Sequence, residues 1–525
     1  MEQLAQIAAD TNFAAIDWGI VVLYLVVSVA IGLIANRYVS DMADYVVAGR
    51  GIRTALGIAT LTGTELGLIT VMYNAEMGFT GGFAAFHIAL AAGLATLVVG
   101  ATGFILTGLR RHEVLTIPEF YGKRFGPRTR ILGGVMLATA GILNMGLFLG
   151  FGAKFIVGIT GLQSEGALLF VMGALLVLVL FYTVLGGMVS VVLTDYFQFV
   201  VLSFGLILAT GFAVAKLGWG TIFTSVAELK GAAGFNPLVS ESSFGIDYVL
   251  WMLFLGAQGC AVWPTSVARA LACESEAVVK KQFMWASLSY AIRVIVPCFW
   301  GVCAYVFVMQ TPALREAFFP ADPAQAVSGV YAMPVFLGRI LPVGFIGLLT
   351  AAMIAAFMST HDSYFLCWSS VITNDVIAPV MAMRGKALSQ RAQVTIARVL
   401  VVVIGVMIFI ISYAYPLGQR LWDFMAVSGG IYFTGAFAVL AGGLYWKRAS
   451  STGAVLALIG GGFAVFGLKP VQRGLLVHLM GLPERAIERF TGARVGLAAV
   501  VLAFVAVILG SLLFPDKPAP TARET

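Results

Sequence analysis

Charged side chains are scarce in this chain, and their scarcity decides which broad class of protein it can belong to. Only 11% of the 525 residues are Asp, Glu, Lys or Arg, whereas about a quarter is usual for a soluble domain. The five cysteines show neither a paired framework nor a metal-ligand spacing, and the four histidines are scattered. These deficits exclude a soluble globular domain, a disulfide-stabilised secreted fold and a zinc site of the usual spacing.

Long apolar segments fill most of the chain instead. Hydrophobic residues make up 60% of it, and many windows exceed about 18 residues with at most one charge, which is enough to span a bilayer as a helix. We predict an all-α integral membrane protein with about thirteen spanning helices. The predicted spans are 17–36, 54–72, 81–105, 131–157, 166–184, 189–215, 246–269, 282–310, 343–371, 395–415, 421–446, 450–468 and 493–514.

These spans form a single transmembrane domain, residues 1–514. An extra helix at 17–36 precedes two blocks of five helices, 54–215 and 246–446, and two C-terminal helices lie within 450–514. The longer connections 216–245 and 311–342 contain Pro, Gly and polar residues and are predicted to be outer loops or short surface helices. We expect the tail 515–525 to be disordered and cytoplasmic.

Positive charge is unevenly distributed between the predicted loops. Nineteen Lys and Arg residues, Arg269 among them, fall on one side of the membrane and about eleven on the other. Because cytoplasmic loops carry the excess of Lys and Arg, we predict a cell (inner) membrane protein with its N-terminus outside and its C-terminus in the cytoplasm. The net charge of +7 then reflects topology. The lipid bilayer is the expected partner, and no nucleic acid is.

Two predicted spans are interrupted by glycine, proline and polar groups at membrane depth. The first contains Gly63 and Glu65, and the second contains Gln258 and then Trp263-Pro264, where the ring of Pro264 ends the hydrogen-bond ladder. Each opens one block of five helices. Such a pair is typical of a transporter built from inverted repeats, with its site at the breaks. The alternative is that the glycines only allow close helix packing.

Two adjacent hydroxyls, Ser359 and Thr360, lie inside the long apolar segment 343–371, and Asp362 follows them. A carboxylate at membrane depth usually faces a cavity or an ion pathway. The carbonyl of Ala356 shares the helix face of the two hydroxyls, and hard cations bind to such oxygen clusters. Alternatively, the hydroxyls bond only to the carbonyl four residues earlier.

Three motifs, in order on the expected helices, resemble the sodium/solute symporter family, which includes sodium/proline, sodium/glucose and sodium/sialic acid transporters. Its Gly-Gly and Thr-Asp-x-x-Gln signature is similar to Gly186-Gly187 with Thr194-Asp195 and Gln198. The start of its first core helix resembles Asp44-Tyr45 with Ala48-Gly49-Arg50, and its eighth core helix resembles Phe357-Met358-Ser359-Thr360 with Asp362-Ser363.

The resemblance implies a LeuT-like core of five plus five helices in inverted repeats. It implies Na⁺-coupled symport, by alternating access, of a small organic solute such as an amino acid, a carboxylate or a sugar. Sodium would be the coupling ion. Carried over position by position, its ligands would be the carbonyls of Gly63, Leu66 and Ala356 and the hydroxyls of Ser359 and Thr360.

Some members of that family bind a second sodium ion at positions matching Asp195, Asp362 and Ser363. Those members carry serine where this chain has Asp362. Two interpretations of Asp195 follow: it helps to bind a second ion, or it pairs with a cation near the inner mouth such as Arg398.

Candidate solute contacts lie at the breaks and on neighbouring helices: Glu65, His87, Gln258, Trp263 and Arg293. The family has an aspartate or an asparagine at the position of Glu65. Glu65 and Arg293 either clamp a zwitterion or neutralise each other, and His87 is more often a packed histidine than a ligand.

Other function classes find less support in the sequence. An enzyme would need a nucleophile and a base in a recognisable motif, and we predict no catalytic residues. A channel would need a continuous polar pore or a filter repeat. The remaining alternatives are a proton-coupled transporter that uses Glu65 and a membrane solute sensor.

Overall fold

Helices dominate the computed structural model, which describes residues 7, 9–35, 50–162, 166–415 and 420–516. Within these ranges the only β-type pairing is one isolated bridge between Ile52 and Cys273. Among the described residues, nine helical segments, some of which contain two of the helices named below, are long and apolar enough to cross a membrane, or ten if one sharply bent pair is a single span. The all-α prediction is confirmed, and the count of about thirteen spans stays a prediction.

The first predicted block begins with a helix that is broken where the sequence has Leu66 and Gly67. Before it lies α1 (Ala15–Ala35). The block contains α2 (Thr54–Glu65), α3 (Leu68–Gly81), α4 (Phe86–Thr102), α5 (Leu106–Arg111), α6 (Ile117–Phe125), α7 (Pro127–Met145), α8 (Phe148–Thr160) and α9 (Ala167–Leu217). A 3-10 turn, Gly82–Ala85, joins α3 to α4, and Gly82 adopts a φ of +65° that favours glycine.

Helix α9 is continuous over 51 residues, whereas the sequence predicts two spans, 166–184 and 189–215. A straight helix of that length would measure about 76 Å, more than twice the thickness of the hydrocarbon core. Its first part packs Leu180 against Gly405, and its second part packs Gly205 against Ala352. The two parts have different neighbours, and their division into two spans stays a prediction.

The second predicted block is also opened by a broken helix, interrupted at Val262 and Trp263. Its helices are α11 (Ile246–Ala261), α12 (Pro264–Leu271), α13 (Glu276–Gln310), α14 (Pro312–Phe318), α15 (Ala332–Ile340), α16 (Phe345–Val371), α17 (Ala378–Met383), α18 (Gln390–Ala414) and α19 (Leu421–Tyr445), and α10 (Trp219–Lys230) precedes them. Short helices thus occupy much of the two long connections. A π-helical segment, Ile372–Ile377, links α16 to α17.

The C-terminal part contains α20 (Ser451–Gly462), α21 (Lys469–Gln472) and α22 (Gly492–Leu513). Between α21 and α22 lie a π-helical segment, Arg473–Leu479, and a 3-10 turn, Glu484–Arg489. Helix α20 packs on α22 through glycine, because a side chain at Gly453 would meet Ser511. Positions 517–525 of the predicted tail and the motif at positions 44–49 lie outside the described residues.

Helix α13 shows how the chain reverses within the first block. It runs parallel to α2 and antiparallel to α4, because its neighbours on α2 follow the same residue order and those on α4 follow the opposite order. The neighbouring pairs are Gly57 with Gln282, Thr62 with Ser289 and Glu65 with Arg293 on α2, and Gly93 with Ala291 and Gly100 with Met284 on α4. The chain therefore passes along α2 and α3 and returns through α4.

Two glycines bring α3 and α13 into backbone contact. A Cβ at Gly78 would collide with the carbonyl of Cys298, and a Cβ at Gly301 would collide with the carbonyl of Ala75. Close approach through small residues is a usual way to pack helices within a membrane. It brings α3, the second half of the broken helix, against the same helix that α2 contacts through Gly57, Thr62 and Glu65.

Candidate ion and solute site

The first helix break leaves backbone carbonyls of α2 without amide partners in their own helix. The amide of Leu66 still bonds the carbonyl of Thr62 at 3.0 Å, but Gly67 is extended and α3 starts anew at Leu68. The last carbonyls of any helix must find other donors. Here the hydroxyl of Ser359 donates to the carbonyl of Gly63 at 2.9 Å, and that of Thr360 donates to the carbonyl of Thr64 at 3.2 Å.

A buried cluster of neutral oxygens results between α2 and α16. The Oγ of Ser359 lies 3.4 Å from the carbonyl oxygen of Ala356, and its residue is fully buried. Three of the predicted sodium ligands, Gly63, Ala356 and Ser359, are therefore together. Thr360 lies beside them against Gly67, where a Cβ would collide with its hydroxyl, and Leu66 is buried at the break itself.

A cavity of about 140 Å³ lies next to both helix breaks. Thr64 and Glu65 at the end of α2 line it, as do Trp263 before α12 and Thr360 of α16. Much of the remaining wall is aromatic: Tyr73, Phe148, Tyr290, Tyr364, Trp422 and Phe433. Thr360 thus belongs both to the cavity wall and to the oxygen cluster.

Both carboxylate oxygens of Glu65 accept hydrogen bonds within this wall. Its Oε1 accepts hydrogen bonds from the hydroxyls of Thr265 and Ser266 at 2.8 and 2.7 Å. Its Oε2 accepts from Nη1 of Arg293 at 2.7 Å, and the two side chains are 10% and 17% exposed. The guanidinium of Arg293 also stacks on the ring of Tyr290 at 3.9 Å. The two predicted solute contacts neutralise each other directly.

The other predicted solute contacts differ in position. Trp263 lines the cavity and donates from Nε1 to the hydroxyl of Tyr364 at 2.8 Å. Gln258 is fully buried and lies outside the lining of this cavity. His87 also lies outside it, with Nδ1 2.7 Å from the carbonyl of Ala84 and the ring against Phe244.

The residues of the predicted second ion site come together around an arginine. Asp195 accepts hydrogen bonds at Oδ2 from Thr60 and Thr64, at 2.6 and 3.0 Å, and from Nη2 of Arg269 at 3.1 Å. The same Nη2 is 2.6 Å from the hydroxyl of Ser363.

Asp362 belongs to the same cluster, because the hydroxyl of Ser363 lies 3.2 Å from its Oδ1. The cation that pairs with Asp195 is therefore Arg269 and not Arg398, because α12 directs the guanidinium of Arg269 between α2, α9 and α16.

Arg269 is also a correction to the predicted topology. The sequence places it in an inner loop, yet its side chain is fully buried. An intramembrane arginine is a functional signal, and its position five residues after Pro264 in a second broken helix is the indication that the sequence offers. The hydroxyls of Thr64, Thr265 and Ser266 are further site residues that spacing alone does not distinguish from packed side chains.

Comparisons with known proteins agree with this geometry. Residues 45–461 match the family model of the sodium:solute symporters. The sodium/proline symporter of Haemophilus influenzae is 26% identical over 470 residues, which cover 86% of this chain and 87% of that protein. The sodium/glucose cotransporter of Vibrio parahaemolyticus is 24% identical, over 86% of this chain and 84% of its own.

Solved structures support the same architecture. A Na⁺-coupled sialic acid symporter, in its substrate-bound outward-open state, superposes with a TM-score of 0.77 at 20% identity, over 97% of this chain and 100% of that one. MhsT in complex with L-phenylalanine gives a TM-score of 0.54 at 13% identity, over 88% and 98%. The predicted LeuT-like fold is confirmed. The chain belongs to the sodium:solute symporter family, and it is a multi-pass membrane transporter, not an enzyme, that couples a small solute to sodium.

Proposed function

We propose that the oxygen cluster between α2 and α16 is the sodium site of this symporter and that the adjacent cavity is its solute site. The observation that carries this proposal is that Thr360 belongs to both the oxygen cluster and the cavity wall. Its hydroxyl lies against a carbonyl of the broken helix, and the same residue lines the cavity. An ion at the cluster and a solute in the cavity would therefore share one side chain.

The sodium ligands in this proposal are the carbonyls of Gly63, Leu66 and Ala356 and the hydroxyls of Ser359 and Thr360. Neutral oxygens of this kind suit a hard monovalent cation. The hydroxyl of Ser359 donates to the carbonyl of Gly63; to bind Na⁺ it would rotate and offer a lone pair to the ion. No proton needs to be released for that change, which favours sodium over proton coupling at this place.

Coupling follows from the position of Glu65 at the end of α2. The carboxylate bonds to α12 through Thr265 and Ser266 and to α13 through Arg293. Sodium would draw the end of α2 towards α16 and so set the geometry of this carboxylate and of the cavity. By linkage, sodium then raises solute affinity, and the solute raises sodium affinity by the same factor.

The cavity wall favours a solute with an apolar or aromatic portion. Six aromatic side chains besides Trp263 line it, and stacking on such faces is favourable. Arg293 bonds Glu65 through Nη1, and its Nη2 is the polar contact we assign to the solute. Of the predicted classes, an amino acid or a carboxylate fits this wall better than a sugar.

We also propose uptake from outside, with the N-terminus outside and the C-terminus in the cytoplasm of a cell (inner) membrane. Removing the buried Arg269 from the loop count leaves eighteen of the nineteen cations inside against about eleven outside. Lys and Arg therefore remain more numerous in the loops predicted to be cytoplasmic. Labelling of single cysteines from outside in intact cells tests it: position 5 should react and position 520 should not.

A thermal-shift screen of the purified protein tests the pairing of solute and ion. Amino acids, carboxylates, sugars and polyols are added in NaCl or in choline chloride, because a ligand stabilises the state that binds it. A hit that requires sodium supports the proposal. Uptake driven by a pH gradient alone would support proton coupling, and solute-dependent signalling without uptake would support a sensor.

A further inference from the structure

Three side-chain oxygens from three helices surround one nitrogen atom of Arg269. Its Nη2 lies 3.1 Å from Oδ2 of Asp195 on α9, 2.6 Å from the hydroxyl of Thr64 on α2 and 2.6 Å from the hydroxyl of Ser363 on α16. All four residues are buried, with at most 1% of each exposed. The arginine reaches this point from α12.

This arrangement has the composition of a cation site. One carboxylate oxygen and two hydroxyl oxygens around a single point are the donors that a hard monovalent ion takes. The positive charge at that point belongs to the protein itself. A sodium ion placed there would lie against the guanidinium in a buried environment, where like charges repel strongly.

We propose that Arg269 is a tethered cation that fills this oxygen cluster, so that the transporter binds one sodium ion per cycle, at the cluster of Gly63 and Ser359. This inference rests on the proposed sodium site and concerns its stoichiometry. It assigns to Arg269 the role of fixing how many ions are coupled to each solute.

Stability alone does not account for the arginine. Its Nε and Nη1 are buried and have no hydrogen-bond partner among the described residues. Unpaired donors of that kind are costly, and replacing a buried ion pair by apolar residues is often neutral or stabilising. A guanidinium held in spite of this cost is explained if its charge is needed beside Asp195.

The tethered cation also contacts the helix that carries the sodium site. Thr64 donates its hydroxyl to Asp195 and offers its carbonyl to Thr360, and a Cβ at Gly63 would lie 3.2 Å from the carbonyl of Asp195. In this structure the guanidinium bridges α2, α9 and α16, as a second ion at the same point would.

Sodium binding by the purified full-length protein tests the stoichiometry without knowledge of the solute. Radioactive sodium is titrated at constant ionic strength with choline chloride, and bound ions per chain and the Hill coefficient are measured. We expect one ion and a coefficient near one for the wild type. Two ions per chain, or a coefficient clearly above one, would overturn the inference.

Variants at Arg269 test whether its charge limits the protein to one bound sodium ion. Arg269→Ala should expose the oxygen cluster and raise the count to two ions, whereas Arg269→Lys should keep it at one. Adding Asp195→Asn to Arg269→Ala should return the count to one. A folded Arg269→Ala protein that still binds one ion would contradict the proposal. If that variant does not fold, the wild-type count decides, with one ion in support and two against.

A separate variant distinguishes failure of this inference from failure of the proposed sodium site. Ser359→Ala with Thr360→Ala should bind no sodium at all when Arg269 is present. If it retains the full wild-type count, the assignment of the sodium site is wrong. If it binds one ion where the wild type binds two, the sodium site stands and the role of Arg269 is wrong.

Discussion

Glu65 and Arg293 form an ion pair with a distance of 2.7 Å between Oε2 and Nη1, at the break of the first helix. The other oxygen of the same carboxylate accepts hydrogen bonds from two hydroxyls at the start of α12, which follows the second break. One side chain thus joins both broken helices. The positive end of a helix N-terminus favours an anion at this position.

The first prediction concerns this pair. Glu65→Gln or Arg293→Met alone should each lower the stability of the protein by about 3 kcal/mol, because each leaves one buried charge without its partner. The double variant should recover most of that loss. Melting temperatures and membrane expression of the four members of the cycle measure the coupling.

Solute binding by the same four proteins separates the two roles left open for the pair. If Arg293 binds the solute, the double variant should fold and still fail to bind. Wild-type affinity in the double variant would show that the pair is only structural. Equal losses in all three variants, without recovery, would show that the side chains do not act as a pair.

The second prediction concerns the two adjacent hydroxyls. Ser359→Ala combined with Thr360→Ala should abolish sodium-driven uptake, because two of five proposed ligands are lost, and the fold should remain. Ser369→Ala is the matched control, since that serine is equally buried in α16 but its hydroxyl donates to the carbonyl of Leu366, in its own helix. Unchanged sodium dependence in the double variant would refute the site.

The broken helices and the grouping of Ser359 with the carbonyl of Ala356 could be predicted from the sequence, because local features specify them. Gly67 and Pro264 interrupt helices by backbone chemistry, and the helical period places Ala356 beside Ser359. The same local logic predicted both opening helices of the two blocks. It also identified Glu65 and Arg293, since charges within apolar runs stand out.

Arg269 was not identified because its role depends on three helices that are far apart in sequence. At the end of an apolar segment, an arginine has the pattern of a loop residue. Only packing brings Asp195, Thr64 and Ser363 to its guanidinium. In the same way, the polarity of Gln258 gave no information on whether its side chain faces the cavity.

The third prediction concerns Gly67, between α2 and α3. A Cβ there would collide with the hydroxyl of Thr360 and lie 3.1 Å from its Cβ. Gly67→Ala should therefore displace Thr360 from the break and lower sodium affinity by about tenfold, the effect of about 1.4 kcal/mol. Gly173→Ala is the control, because a Cβ at that helical position meets nothing within 4 Å. Sodium titrations in which both variants match the wild type would contradict the prediction.

The fourth prediction concerns Lys230, at the end of helix α10. Its ammonium donates to the carbonyl of Thr80 at 2.8 Å and lies 3.9 Å from the ring of Tyr305. Burial lowers the pKa of Lys230 to about 8, against about 10.4 in an unfolded chain. Between these two pH values the folded protein binds fewer protons than the unfolded chain. The contribution of Lys230 to the free energy of unfolding therefore rises with pH.

The comparison of variants isolates this effect from the titration of other groups. From pH 8 to about 10.4 the melting temperature of the wild type should rise by a few degrees relative to Lys230→Met, which has no proton to release at that position. Below pH 8 the difference between the two proteins should be constant, because Lys230 is charged in both states of the wild type. Lys216→Met, at an exposed lysine near the end of α9, should follow the wild type throughout. A difference between wild type and Lys230→Met that falls with rising pH would mean that the contacts with Thr80 and Tyr305 stabilise the charged form more than burial destabilises it.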